Sequence, residues 1–77
     1  MTPADARAQV APYGWNIDDD GRLVRPDGVA IRSVLLTTAN RGRRWQVRAV
    51  DGGRLLWSGP DLGRFLADFY CARRVAP

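Results

Sequence analysis

Histidine, lysine and glutamate do not occur in this chain, and cysteine occurs once, at position 71. Without an imidazole, the usual general base, the usual triad partner and the commonest zinc ligand are missing together. A lone thiol cannot close an internal disulfide. Cys71 falls between Tyr70 and Ala72 inside a predicted helix, where it reads as a buried structural thiol and not as a nucleophile. The acids are all Asp and lie nearly all in turns or caps. No catalytic residue, cofactor or metal is assigned on this basis, and a non-enzymatic binding protein is expected. Long apolar runs are also missing, well short of the roughly 18 residues that a membrane span needs. Nor does the amino terminus carry a basic region followed by an apolar core. A soluble, cytoplasmic protein with no membrane partner is expected.

The chain has 77 residues, 45% of them hydrophobic, including three Trp. That length fits one domain, residues 1–77, which would bury only about 60% of the surface of its unfolded form. All twelve basic residues are Arg and all eight acids Asp, a usage that points to a GC-rich coding sequence of bacterial or phage origin. The charge is uneven. Residues 1–40 hold four Arg and five Asp (4 − 5 = −1), and residues 41–77 hold eight Arg and three Asp (8 − 3 = +5). A basic half of this kind is drawn to phosphate backbones or to acidic protein surfaces.

Thr2, Pro3 and Asp5 form a helix start: a hydroxyl cap, a proline in the first turn and a carboxylate near the positive end. The helix should run to about Val10, where Pro12 and Gly14 stop it, with Ala6, Val10 and Tyr13 inward. Trp15-Asn16-Ile17 and Arg22-Leu23-Val24 flank Asp18-Asp19-Asp20-Gly21, which is a hairpin signal. Arg25-Pro26-Asp27-Gly28 reads as a further turn, and a long strand is predicted to begin near Val29.

Register over residues 29–58 follows from the loop lengths that bring apolar residues together. A three-residue Asp51-Gly52-Gly53 loop sets Val47 opposite Trp57 and Ala49 opposite Leu55. A three-residue Asn40-Arg41-Gly42 loop sets Thr37 opposite Trp45 and Leu35 opposite Val47. One face then gathers Val29, Ile31, Leu35, Trp45, Val47, Ala49, Leu55 and Trp57. The other gathers Arg32, Arg44, Gln46, Arg48 and Arg54, diluted by Val34, Leu36 and Leu56. After the Ser58-Gly59-Pro60-Asp61 corner, Leu62, Phe65, Leu66, Phe69 and Tyr70 recur at helical spacing. Arg73 and Arg74 suit the last turn of that helix. The predicted fold is α+β: a short N-terminal helix, an antiparallel sheet of three to five strands, and a C-terminal amphipathic helix packed on one face.

Asn16, Asp18, Asp20, Gly21, Leu23 and Asp27 fall at the spacing of an EF-hand-type calcium loop. Pro26 and Gly28 break the chain where such a loop leads into a helix, and Asp27 stands where bidentate Glu is usual. The stretch therefore reads as a solvated, Asp-rich hairpin turn.

The segment Arg41-Gly42-Arg43-Arg44-Trp45 is the most suggestive for binding. A guanidinium is a planar fork of donors that fits phosphate or a guanine edge, and a hairpin tip can enter a groove or follow a backbone. Arg32, Arg48 and Arg54 extend the surface, so the candidate binding residues are Arg32, Arg41, Arg43, Arg44, Arg48 and Arg54. Residues 43–72 resemble the three-stranded-sheet-plus-helix DNA-binding domains of plant ethylene-response factors and of phage integrase amino termini. The resemblance rests on the Trp45-Gln46-Val47-Arg48 strand, the glycine-containing turn, the Leu56-Trp57-Ser58-Gly59 strand and the helix ending in Phe69-Tyr70. It implies that the sheet face away from the helix lies in the major groove, with Arg44, Arg48 and Arg54 at the DNA. The order helix, three strands, helix is also similar to that of double-stranded-RNA-binding domains. Two functions stay open: nucleic-acid binding through the Arg-rich hairpin and outer face, or a small phage or mobile-element protein that blocks an acidic host-protein surface, as anti-CRISPR-type inhibitors do. A homodimer is a further possibility.

Overall fold

The computed structural model describes residues 2–75. Helix α1 spans Pro3–Val10 and begins as its sequence predicts. Asp5 N donates to Thr2 Oγ1 at 3.2 Å while Thr2 N donates to Asp5 Oδ2 at 2.7 Å, so a reciprocal capping box satisfies two first-turn donors. One 3-10 turn, Ala11–Tyr13, follows and stops at Gly14, whose φ of 78° ends the helical path.

Strands β1 (Asn16–Ile17) and β2 (Leu23–Val24) pair antiparallel. Asp18 shapes the turn between them: its Oδ1 accepts from Asp20 N at 2.9 Å and from Arg22 N at 2.8 Å. This hairpin forms its own two-stranded sheet and does not join the second, three-stranded sheet. The strand expected from Val29 begins only at Val34. Arg25 N donates to Val29 O at 2.9 Å and Ile31 N to Leu23 O at 2.7 Å, so the backbone of residues 29–31 is spent on the small hairpin.

The main sheet has the order β3 (Val34–Ala39), β4 (Arg44–Ala49), β5 (Leu55–Gly59), all antiparallel. Its register corrects the sequence reading twice. Ala39 pairs with Arg44, so the loop holds four residues, Asn40 to Arg43, and not three. Leu36 therefore faces Val47 and Thr38 faces Trp45. A slip of one residue exchanges the faces of a strand: Val34 and Leu36 turn to the core, and Leu35 turns out, 54% exposed. The second correction is on β5. Val47 faces Trp57 as expected, but Arg48 faces Leu55, with a register shift that leaves Leu56 as an extra residue. This bulge packs Leu56 against the core and leaves Leu55 exposed.

Helix α2 (Leu62–Tyr70) covers the inner face. Leu62, Phe65 and Leu66 are fully buried, together with Val10, Leu23 and Val47. The Phe65 ring lies 5.6 Å from Trp57, and Tyr70 lies 5.3 Å from Trp15, spacings at which aromatic pairs attract beyond their area burial. The predicted lid over the tryptophan face is thus present. Its end is not where the sequence placed it. Cys71 adopts φ 52° as a left-handed cap after Tyr70, and the thiol is exposed, not buried. Arg73 and Arg74 lie beyond the helix; the Arg74 guanidinium stands 6.0 Å from the Tyr13 ring centre.

Candidate nucleic-acid interface

The face of the main sheet opposite α2 is built from alternate residues of three strands. Reading across, the rows are Ala39 and Arg44, then Thr37, Gln46 and Ser58, then Leu35, Arg48 and Leu55. Two arginines are fixed on it by neutral partners. Arg44 Nε donates to Ser58 Oγ at 2.8 Å and its Nη2 to Ser58 O at 3.4 Å. Arg48 Nη1 donates to Gly53 O at 3.1 Å and its Nη2 to Gln46 Oε1 at 3.4 Å. Neutral acceptors orient a guanidinium without cancelling its charge, and each retains further N–H donors for an anion.

The β3–β4 tip adds Arg41 and Arg43, both exposed. Asn40 and Arg41 take φ 52° and 59°, followed by Gly42 at 80°. Consecutive positive φ angles match the twist of a tight hairpin, and they hold Asn40, Arg41 and Arg43 around an open hollow at the tip. Arg54 precedes β5; its carbonyl accepts from Ala49 N at 2.8 Å, so it stands at the rim of the sheet beside the turn. Arg32 precedes β3, at the end of the strand remote from the tip.

Of the six arginines singled out from sequence, Arg44 and Arg48 thus share the outer face, Arg41 and Arg43 the tip, and Arg54 and Arg32 the margins. Among the described residues the ion pairs are Arg22–Asp20, Arg25–Asp27 and Arg64–Asp68. None involves these six, so none of them is ion-paired among the described residues. Sequence reasoning passed over Arg22, which lines a cleft with Arg32 and Arg48. Nothing in local pattern brings residue 22 to residue 48; the fold does.

Other chemistry is sparse. No group of three or more Cys or Asp side chains converges to hold a metal among the described residues, and Asp18 is spent on the backbone of its own turn. Trp45 Nε1 is buried with no acceptor among the described residues. Trp45 also borders a cleft of about 250 Å³ whose lining among the described residues, including Thr2, Ala6, Ile17 and Leu36, carries no charged side chain. No described helix is long and apolar enough to cross a membrane.

The fold and this face define a small α+β protein with one basic sheet surface. No family model matches the chain, and neither a curated protein nor a solved structure matches it.

Proposed function

We propose that this protein binds double-stranded nucleic acid through phosphate contacts made by the β3–β4 tip and the outer face of the main sheet. The observation that carries the reading is the fixed orientation of Arg44 and Arg48 across that face, by Ser58, Gln46 and Gly53, with no acid paired to either among the described residues. Orientation in advance lowers the entropy cost of engaging an anion. Arg41 and Arg43 extend the charge beyond the sheet. The order of three strands and a helix, with the basic face turned away from the helix, also suits the resemblance to the ethylene-response-factor and integrase domains.

A duplex is favoured over a single strand by what the face lacks. Single-strand binders offer aromatic rings on which bases stack. Here Trp45 is buried in the core, and Trp57 packs against that core and Phe65. The outer rows hold Ala, Thr, Leu, Gln, Ser and Arg only.

The test is a titration with mixed-sequence duplex DNA and RNA, and with single strands, at roughly 50 and 200 mM salt, the range over which several phosphate contacts lose orders of magnitude in affinity. Duplex binding that collapses with salt, and that is abolished by Arg43→Ala with Arg44→Ala, supports the reading. No binding at the lower salt sinks it.

One observation favours a second reading. Leu35 and Leu55, 54% and 45% exposed, flank Arg48 on the same face, and a cation set between apolar side chains also suits docking on an acidic protein surface. Under that reading Leu55→Ala, which adds no charge beside Arg48, weakens capture of an acidic protein partner, and the duplex titration shows no salt-sensitive binding.

A further inference from the structure

At the end of β3 opposite the hairpin tip lies a cleft of about 330 Å³, bordered by Asp20, Arg22, Arg32, Leu35, Arg48 and Gly53. Its polar wall comes from three separate stretches of chain: the β1–β2 turn gives Asp20 and Arg22, the lead into β3 gives Arg32, and β4 gives Arg48. Asp20 is its one acid and is engaged by Arg22 at 3.4 Å. Arg48 is held by Gly53 O and Gln46 Oε1. Arg32 makes no hydrogen bond or ion pair among the described residues. The cleft is therefore bordered by three arginines and one aspartate, a formal balance of 3 − 1 = +2.

Solvated side chains of like charge repel, and three guanidinium groups around one hollow are stabilised most by an anion placed among them. The hollow has room for a compact tetrahedral oxyanion beside Val34, Leu35 and Val50. We infer that this cleft is a phosphate-binding site in which Arg32 and Arg48 are the principal donors and Arg22, steadied by Asp20, completes the cradle.

The position of the cleft gives the duplex reading a length; the footprint, though not the site itself, rests on that reading. Leu35 on the cleft and Asn40 at the tip are five residues apart along β3, about 17 Å at strand rise. At roughly 3.4 Å per base pair along the duplex axis, phosphates held at the two ends lie about five base pairs apart.

The experiment follows the arginine Nε–Hε resonances of the ¹⁵N-labelled protein as inorganic phosphate and, separately, a short duplex with 5′-hydroxyl ends are added at low salt. The expected result with phosphate is saturable movement of the Arg32 and Arg48 signals together, with exposed Arg73 as the reference for unspecific response. Arg32→Ala, an exposed residue whose loss leaves the core intact, weakens phosphate binding about tenfold, the loss of one charge-assisted pair. If the duplex moves the cleft and tip signals together, the source is a backbone phosphate and both inferences stand. Should phosphate move the cleft signals while the duplex moves none, the site stands as one for free phosphate and the duplex reading falls. Cleft signals that respond to phosphate no more than Arg73 does overturn the site, whatever the duplex does at the tip.

Discussion

The side-chain amide of Gln9 caps a helix to which it does not belong: its Oε1 accepts from Leu62 N, the first residue of α2, at 2.9 Å. The same amide donates to Pro60 O at 3.4 Å. First-turn N–H groups have no partner within their own helix. Asp61 takes care of Gly63 N at 2.9 Å, and Leu62 N is left to α1.

Gln9→Ala should lower stability by about 1–2 kcal/mol, since it strands a half-buried donor, whereas Gln9→Glu, which keeps an acceptor near a positive helix end, should recover most of that loss. Gly63→Ala should cost about 1–3 kcal/mol through overpacking, although Ala is the better helix former. A Cβ at Gly63 would stand 2.6 Å from the Tyr13 ring and 3.1 Å from Gln9 O. The midpoint of urea unfolding measures each change.

Register predicts a contrast between neighbouring leucines. Leu36→Asp and Leu56→Asp put a carboxylate into the core and should cost about 3 kcal/mol or more, enough to unfold a small domain. Leu35→Asp and Leu55→Asp, on the outer face, should stay within about 1 kcal/mol of wild type. Circular dichroism melts of the four variants decide it. A reversed ranking of Leu35 and Leu36 would restore the three-residue Asn40–Gly42 loop.

Arg41 sits at φ 59°, a region costing roughly 1–2 kcal/mol for a residue with a Cβ. Arg41→Gly should therefore raise stability by about 1 kcal/mol. In the duplex titration the same change should weaken binding and flatten the log–log salt slope by about 0.9, one phosphate contact's worth. A variant that is more stable and binds less well is the signature of strain kept for function.

Two ends of the pH scale should act on two different elements. Hydrogen bonds from the Thr2 backbone N–H and then from its hydroxyl hold the Asp5 carboxyl below its ordinary 3.8. The folded state favours the ionised form, so the capping box is at full strength above pH 3.8 and weakens as pH falls through the lowered value. Burial raises the Tyr70 hydroxyl above 10.0. There the folded state favours the neutral form, and stability is full below pH 10.0 and declines above it. Melting temperatures across pH 2–12 should show both limbs on the order of these ordinary pKa values, with the acid limb flattened in Asp5→Asn.

Much of this architecture was legible because local chemistry and packing agreed. The Thr2–Asp5 cap, the Asp18 turn and the stripe of Leu62, Phe65 and Leu66 each announce themselves within a few residues. The two errors of register arose where the chain offered competing solutions. Asn40-Arg41-Gly42 satisfies a three-residue loop on paper, and the extra loop residue was hidden because Arg43 is as hydrophilic as Arg44. The start of β5 is ambiguous for another reason: Leu55 and Leu56 are chemically identical, so no hydropathy pattern can say which one a bulge will bury. The hairpin tip and the outer-face arginines were visible as a basic run. The cleft was not, because its wall joins positions 22, 32 and 48 from three elements.

The seat of the Trp57 ring leaves a mark that can be read without any mutation. Trp57 and Gly59 lie two apart on one strand, and the benzo edge of the indole approaches within 2.5 Å of the point where a Gly59 Cβ would stand. One of the two Gly59 α-protons points there instead. The ring's magnetic anisotropy must split that pair, and the splitting will vanish whenever the indole leaves its place 5.6 Å from the Phe65 ring. The protein thus carries its own spectroscopic gauge of how α2 sits on the sheet, at the edge strand next to the face on which the arginines are displayed.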